Sequence, residues 1–315
     1  VVSGSGSGKL SLIADKDIQV NAALQNLSGN GDLTLSSKTG VAINSGGSID
    51  WDGGSSGLIS ISASQSGGLS GAGGIDMGSS GTDLSISQPS GSDTTYSGVI
   101  EGSGGLTKLG DGDLVLSGVS TSTFTGTTTV SGGGITVSGG LTELGNIVLE
   151  DGFFELGNSM SLGSSYSGTI SFGGGLFKHG QAKDFSPQYS TAANQQYKIQ
   201  VLGSSDGSRA YAAALTSQGG SLELLGGNLV LDGANTYSGE TKVSGDSLTV
   251  NGSLSDSTVV DVSSGAIYTV GSTDTIGGLQ GDGTVDLNGN GLTINIAASG
   301  GSTTFSGVIS GEGSN

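Results

Sequence analysis

Residues Thr94 to Val137 read TTYSGVIEGSGGLTKLGDGDLVLSGVSTSTFTGTTTVSGGGITV. The stretch is a series of short bursts of alternating apolar character, each closed by Gly, Ser, Asn or Asp. Leu114 and Leu116 flank Val115, Thr127 to Val130 is a β-branched run, and Ile135 and Val137 bracket Thr136. Side chains alternate faces along a strand, so each burst can bury one side and little more. Strands this short are marginal alone and need neighbours stacked above and below them.

The stretch also returns. Thr123–Gly132, TFTGTTTVSG, reappears as Thr236–Gly245, TYSGETKVSG. A Leu-Val-Leu triplet lies upstream of both copies (Leu114–Leu116 and Leu229–Leu231), and a short strand lies downstream (Ile135–Val137 and Leu248–Val250). Thr94–Ile100, TTYSGVI, reappears as Thr303–Ile309, TTFSGVI. Short strands repeated without helices between them predict a solenoid, and crossover chirality makes it right-handed. The expectation is an all-β, right-handed parallel β-helix of about a dozen coils, at roughly twenty residues each.

Composition agrees. Glycine contributes 64 of 315 residues and proline 2, with 33% hydrophobic and 11% charged residues. Disorder would not place Val, Ile, Leu and Thr in regular bursts; glycine is better read as supplying positive-φ corners between strands. A net charge of −18 with nine basic residues leaves no footprint for nucleic acid or an anionic membrane surface. Without cysteine, disulfides and thiolate metal sites are excluded. No apolar run approaches a membrane span. The start, Val1-Val2-Ser3-Gly4, is already repeat-like, and Gly311-Glu312-Gly313-Ser314-Asn315 stops where the earlier copy continues through Gly104–Lys108. A segment of a longer polypeptide is therefore expected.

Gly105–Gly118, GLTKLGDGDLVLSG, and Asp232–Gly239, DGANTYSG, resemble the two halves of the passenger-associated repeat of bacterial autotransporters. That pattern runs roughly G-x-L-x-K-x-G-x-G-x-L-x-L-x-G-x-N-T-Y-x-G-x-T-x-V. Toward the N-terminus, Ala14–Ala22, ADKDIQVNA, followed by Gly31–Leu35, GDLTL, is similar to two-partner-secretion exoproteins of the filamentous haemagglutinin type. Both resemblances imply a parallel β-helix exported across an outer membrane to the cell surface or beyond. On this reading one solenoid segment comprises haemagglutinin-like coils over 1–92, autotransporter-repeat coils over 93–172 and 220–315, and a loop-rich insertion near 173–219.

That insertion breaks the cadence. Leu176–Tyr189 has no strand alternation and holds the only histidine, Lys198–Leu202 looks like a strand, and Arg209–Leu215 could form a short helix. Insertions in solenoids become loops on one face, often the functional one. Phe177, Lys178, His179, Lys183, Phe185, Tyr189, Tyr197, Arg209 and Tyr211 are the candidate partner or glycan contacts. The competing reading is an excursion that packs on the coils and covers an edge. Trp51, the only tryptophan, reads as a core filler.

Catalysis and metal binding find little support. Asp111, Asp113, Asp261, Asp274, Asp282 and Asp286 lie mostly in turn contexts, where aspartate serves Asx-turn chemistry. Glycoside hydrolysis needs two close carboxylates, one with a raised pKa. Gly29–Leu33, Gly110–Leu114 and Gly281–Val285 look like pieces of a calcium-binding nonapeptide repeat, but that motif works in tandem. Weak incidental Ca²⁺ binding is the most they suggest. One histidine and no cysteine cannot build a transition-metal site, and Gly4–Ser11 lacks phosphate-loop order. No catalytic residue, resident metal or cofactor is expected. The reading is a structural stalk or adhesin whose partners are a host, a matrix polysaccharide or a sister-cell surface. Homotypic end-to-end or lateral assembly into a filament is the first alternative, and a carbohydrate-active β-helix enzyme the second.

Overall fold

The computed structural model describes residues 2–5, 8–28, 31–52, 57–118, 122–139, 141–157, 166–181, 183–203, 207–296 and 302–311. Gly29-Asn30, Gly6-Ser7, Ala182 and Glu312–Asn315, which figured in the sequence reading, lie outside the described residues. The chain forms two compact units, Val1–Ile170 and Ser171–Asn315.

Coils of the first unit carry three short strands each. One coil runs through Leu33–Ser37, Val41–Ile43 and Ser48–Trp51, and the next through Leu58–Ala63, Leu69–Gly71 and Gly74–Asp76. Each strand finds its partners one coil before and one coil after, always in parallel. The fold is a parallel β-solenoid, as the bursts of alternation required. Strands fall at Leu114–Leu116, Thr128–Val130 and Gly134–Val137, where the opening stretch places them.

Alternation puts every second side chain inside. On one face Leu33, Ile59, Leu84, Leu106, Thr128 and Ile147 stand directly over one another. All six are fully buried. A second inward column, Leu35, Ile61, Ile86, Lys108, Val130 and Leu149, runs beside it. Leu24, Ile49, Ile75 and Ile100 form the corresponding column on another face. Trp51 is a core residue at 5% exposure, and its Nε1 donates to the Gly31 carbonyl at 2.7 Å.

The second unit has two principal parallel sheets. One contains Leu176–His179, Gln196–Val201, Ser221–Gly226, Thr241–Val243, Val259–Val262 and Gly278–Gly281; the other contains Arg209–Tyr211, Asn228–Leu231, Ser247–Val250, Ile267–Val270, Thr284–Asp286 and Val308–Ser310. Side chains stitch the corners from coil to coil. Asn235 Oδ1 accepts from the Leu215 N–H at 2.9 Å, and its Nδ2 donates to the Gly233 and Ser253 carbonyls at 2.8 and 3.1 Å. Asp274 does similar work two coils on, where Oδ2 accepts from the Leu254 N–H at 2.9 Å.

Two expectations for 173–219 need correction. Leu176–His179 is a strand in register with Lys198–Val201, and its inward residues are Phe177 and His179. A histidine at an inward position concealed the alternation. Arg209–Tyr211 is a strand against Leu229–Leu231, not the start of a helix. Arg209 and Tyr211 point in and Ala210 points out, so the open edge of the neighbouring coil outweighs the helix propensity of the alanines. Among the described residues the helical element is the 3-10 turn Ser186–Gln188, with Pro187 inside it. No helix of the described residues is long and apolar enough to cross a membrane.

The register gives a direct check. Leu84→Ala, at a fully buried rung, is expected to cost roughly 2–5 kcal/mol. Ser85→Ala, the next residue and outward-facing, is expected to stay within about 0.5 kcal/mol. Urea titration followed by Trp51 fluorescence measures both.

Candidate interaction faces and a buried polar centre

Because coils stack in register, outward side chains also form columns, spaced by about 4.8 Å. Three such columns differ in chemistry. In the first unit Gln25, Asp50, Asp76, Glu101, Thr123 and Glu143 stand opposite one another. Three carboxylates therefore occupy consecutive rungs, an arrangement in which like charges repel. Gln25 relieves one end by donating to Asp50 Oδ2 at 3.2 Å. An open groove beside the column is lined by Asp76, Ser79, Glu101, Ser103, Thr123, Thr125 and Glu143, among others.

The next face of the same unit is uncharged along its centre. Its outward column is Ser11, Thr34, Ser60, Ser85, Thr107 and Thr129, with Ser36, Ser62 and Ser87 two residues along the strands. The second unit has a third kind of column, Lys198, Glu223, Lys242, Asp261 and Gln280. Opposite charges alternate there, and Lys242 Nζ lies 3.6 Å from Glu223 Oε1. Gln280 Nε2 donates to Glu240 Oε1 at 2.9 Å and to Asp261 Oδ2 at 3.3 Å. Partial burial, then the nearby Asp261 charge, raises the Glu240 carboxyl above its ordinary value.

The acidic column meets the distance requirement for a glycosidase pair, since neighbouring rungs lie about 5 Å apart. It does not provide the environment. A general acid needs an apolar pocket to keep its proton, whereas Glu101 and Glu143 are exposed and the described residues lining the groove include no aromatic ring or cationic side chain. Among the described residues no group of three or more His, Cys, Asp or Glu side chains is arranged to hold a metal ion.

Seven of the nine sequence-selected contact residues are inside the second unit: Phe177, His179, Phe185, Tyr189, Tyr197, Arg209 and Tyr211 are each at most 9% exposed. The surface reading of these seven is corrected. Their strands alternate, and the excursion between them packs inward. Lys178 and Lys183 are half-buried, and Lys183 Nζ sits 5.5 Å from the centre of the Phe185 ring. Phe177 stacks on His179 at 5.4 Å, and Phe185 meets both rings edge-on at 5.2 and 5.0 Å. His179 Nε2 and Tyr211 Oη are 2.7 Å apart, as are the hydroxyls of Tyr211 and Tyr189. Arg209 Nη2 donates to the Gly180 carbonyl at 2.8 Å. Burial, then the Arg209 charge, lowers the His179 pKa to about 4, so the ring is neutral at pH 7. Burial also raises the Tyr189 and Tyr211 hydroxyls, so the His179–Tyr211–Tyr189 chain consists of uncharged groups beside the Arg209 guanidinium.

Sequence reasoning noted Lys108 for its motif and missed what it does. It replaces an aliphatic residue in the column between Ile86 and Val130 and is fully buried. Its Nζ donates to the carbonyls of Leu109 at 3.0 Å, Gly110 at 2.9 Å and Gly132 at 3.4 Å, the last belonging to the next coil. Gly110 can turn its carbonyl there because it takes a φ of +72°, where a Cβ would also meet the Gln88 carbonyl. The signal was present: strict alternation from Leu106 puts Lys108 on the inward side.

Burial lowers the Lys108 pKa to about 8, against the opposing pull of Asp113, Asp111 and Asp93. Between about pH 8 and 10.5 the unfolded chain then binds a proton at this site that the folded chain does not, so the contribution of Lys108 to stability rises with pH across that window. Burial raises the tyrosine hydroxyls, which works the other way toward the top of that range, so the expected gain of roughly 3 kcal/mol is read as the difference between wild type and Lys108→Met in urea titrations of Trp51 fluorescence at each pH.

A family model described as Passenger-associated-transport-repeat matches residues 106–137 and 226–245. The first match covers the Lys108 cage and the strands of the opening stretch; the second covers Asn235 and the strands on either side of it. No curated protein and no solved structure matches the chain. In these two segments, laid out on a parallel β-solenoid, the chain is similar to the repeats of the autotransporter passenger family.

Proposed function

We propose that the chain is a non-enzymatic stalk and adhesive segment of a secreted or surface-displayed bacterial passenger. The observation that carries this reading is the set of outward columns. Stacking holds the side chains of successive coils at fixed intervals on stiff faces, which suits many weak contacts with an extended partner. Such a partner is a host surface, a matrix polysaccharide or a sister cell. The uncharged Ser/Thr column is the best candidate contact, because the neighbouring acidic column disfavours polyanions. The passenger-repeat match supports the outward address, since passengers of this kind are exported.

End-to-end assembly through unpaired strand edges is the second reading. A carbohydrate-active enzyme is the third reading, and rests on the spacing of the acidic column alone.

Display of the chain on a bacterial cell through an unrelated anchor separates these readings. Wild type is expected to increase retention on matrix polysaccharide or clumping of cells. Ser60→Glu combined with Ser85→Glu and Thr107→Glu should reduce the effect about tenfold while the strand content by circular dichroism is unchanged. Unchanged adhesion in the triple variant would remove the hydroxyl face from the account. Light scattering of the soluble chain is expected to give a constant mass; particles that lengthen with concentration would make assembly the function. Release of sugars from the polysaccharide would instead establish an enzyme.

A further inference from the structure

We propose that His179 is an acid-sensitive latch that holds the 183–195 segment against the second unit and, once protonated, releases it to expose Phe177, Phe185 and Tyr189. The inference does not depend on the passenger reading. It begins with an accounting of the imidazole. One ring nitrogen, Nε2, is satisfied by Tyr211 Oη, and Tyr211 Oη is in turn bonded to Tyr189 Oη. Nδ1 is buried and makes no hydrogen bond. Neutral His179 can accept at Nε2 from Tyr211, which leaves the Tyr211 oxygen free to accept from Tyr189. An imidazolium donates at both nitrogens, so Tyr211 can no longer donate to Nε2, and one of the two tyrosine hydroxyl protons is left without its acceptor.

The surroundings offer the charge little: the Gln181 backbone lies where it favours an imidazolium, but burial and the Arg209 charge outweigh it. Phe177, Phe185 and Tyr211 enclose the ring. Among the described residues the charged and titratable groups around it are Arg209, Asp184, Lys183, Tyr189 and Tyr211. Arg209 repels an imidazolium. Asp184 attracts it, but both of its oxygens are committed: Oδ1 accepts from the Ser186 N–H and hydroxyl at 2.8 and 2.6 Å, and Oδ2 accepts from the Ala212 N–H at 2.9 Å. An unpaired buried charge is relieved by opening to water.

Opening would occur at the weakest element in contact with the ring. Leu176–His179 and Gln196–Val201 are held along their length by a parallel ladder. The 183–195 segment is held largely by side chains: Phe185 on the His179 ring, the Tyr189–Tyr211 bond, the Asp184 and Ser186 bonds, and Tyr197 Oη donating to the Ser190 carbonyl at 2.8 Å; its C-terminal end also has backbone bonds, from the Asn194 N–H to the Gln218 carbonyl and from the Ser221 N–H to the Gln195 carbonyl. Local opening favours such segments over ladders. Release uncovers aromatic surface that is hidden at neutral pH.

Hydrogen exchange of the full chain at pH 7 and about pH 4, corrected for intrinsic rates, tests the latch. In wild type, protection of 183–195 is expected to fall about tenfold or more on acidification, with 196–201 and 221–226 keeping theirs. His179→Gln, which can still bond Tyr211 but does not titrate, is expected to keep 183–195 protected at both pH values. Should that variant fail to fold, His179→Phe, which retains a ring in the aromatic enclosure, carries the same expectation. Equal acid release in the variant would assign the trigger to Asp184 and overturn the proposal. Unchanged protection in wild type, or a loss spread over the whole second unit, would also overturn it.

Discussion

A strand of three to six residues cannot close its hydrogen bonds or bury its apolar side inside a single coil. Both needs are met only by the coil above and the coil below, through parallel ladders that run from one turn of the chain to the next. Everything else in the molecule follows from that dependence. Inward positions must repeat their chemistry because each rests on its own kind, as Leu33, Ile59, Leu84 and Leu106 do. Corners must be narrow because consecutive coils lie one strand spacing apart. This is why the left-handed corner positions among the described residues fall on glycine, apart from Asn194, Asp246 and Asn288.

Polar groups inside such a stack are tolerated where they join coils. Lys108 gathers carbonyls from two coils, Asn235 bonds the coils on either side of it, and Asp274 supplies a similar tie further on. Lys108 remains costly even so, because main-chain carbonyls recover only part of the hydration that an ammonium group loses. His179 is the opposite case, a buried polar ring with one nitrogen satisfied and one not. The first kind of group fastens the fold. The second makes it responsive.

The architecture was legible in the residues because alternation and punctuation are local signals. Leu114–Leu116, Ile135–Val137 and Leu229–Leu231 announced their strands, and the repeated TTYSGVI and TTFSGVI marked the solenoid. Phe177 to His179 and Arg209 to Tyr211 were harder, since a histidine and an arginine took inward places that the pattern reserves for apolar side chains. The outward columns could not be read at all. Asp50, Asp76 and Glu101 become neighbours only through inter-coil register, and coil length varies along the chain. Alternation tells which way a side chain points but not what stands above it.

The stacking register is the claim on which both the inward and outward columns rest, and the absence of native cysteine makes it directly testable. Ser60→Cys with Ser85→Cys places two thiols on opposed rungs of adjacent coils, within the separation that a disulfide spans. Mild oxidation is expected to link this pair within one chain, and to leave the Ser60→Cys, Thr107→Cys pair, two coils apart, unlinked. Efficient linking of the distant pair, or none in the adjacent pair, would contradict the register and with it the account of the faces.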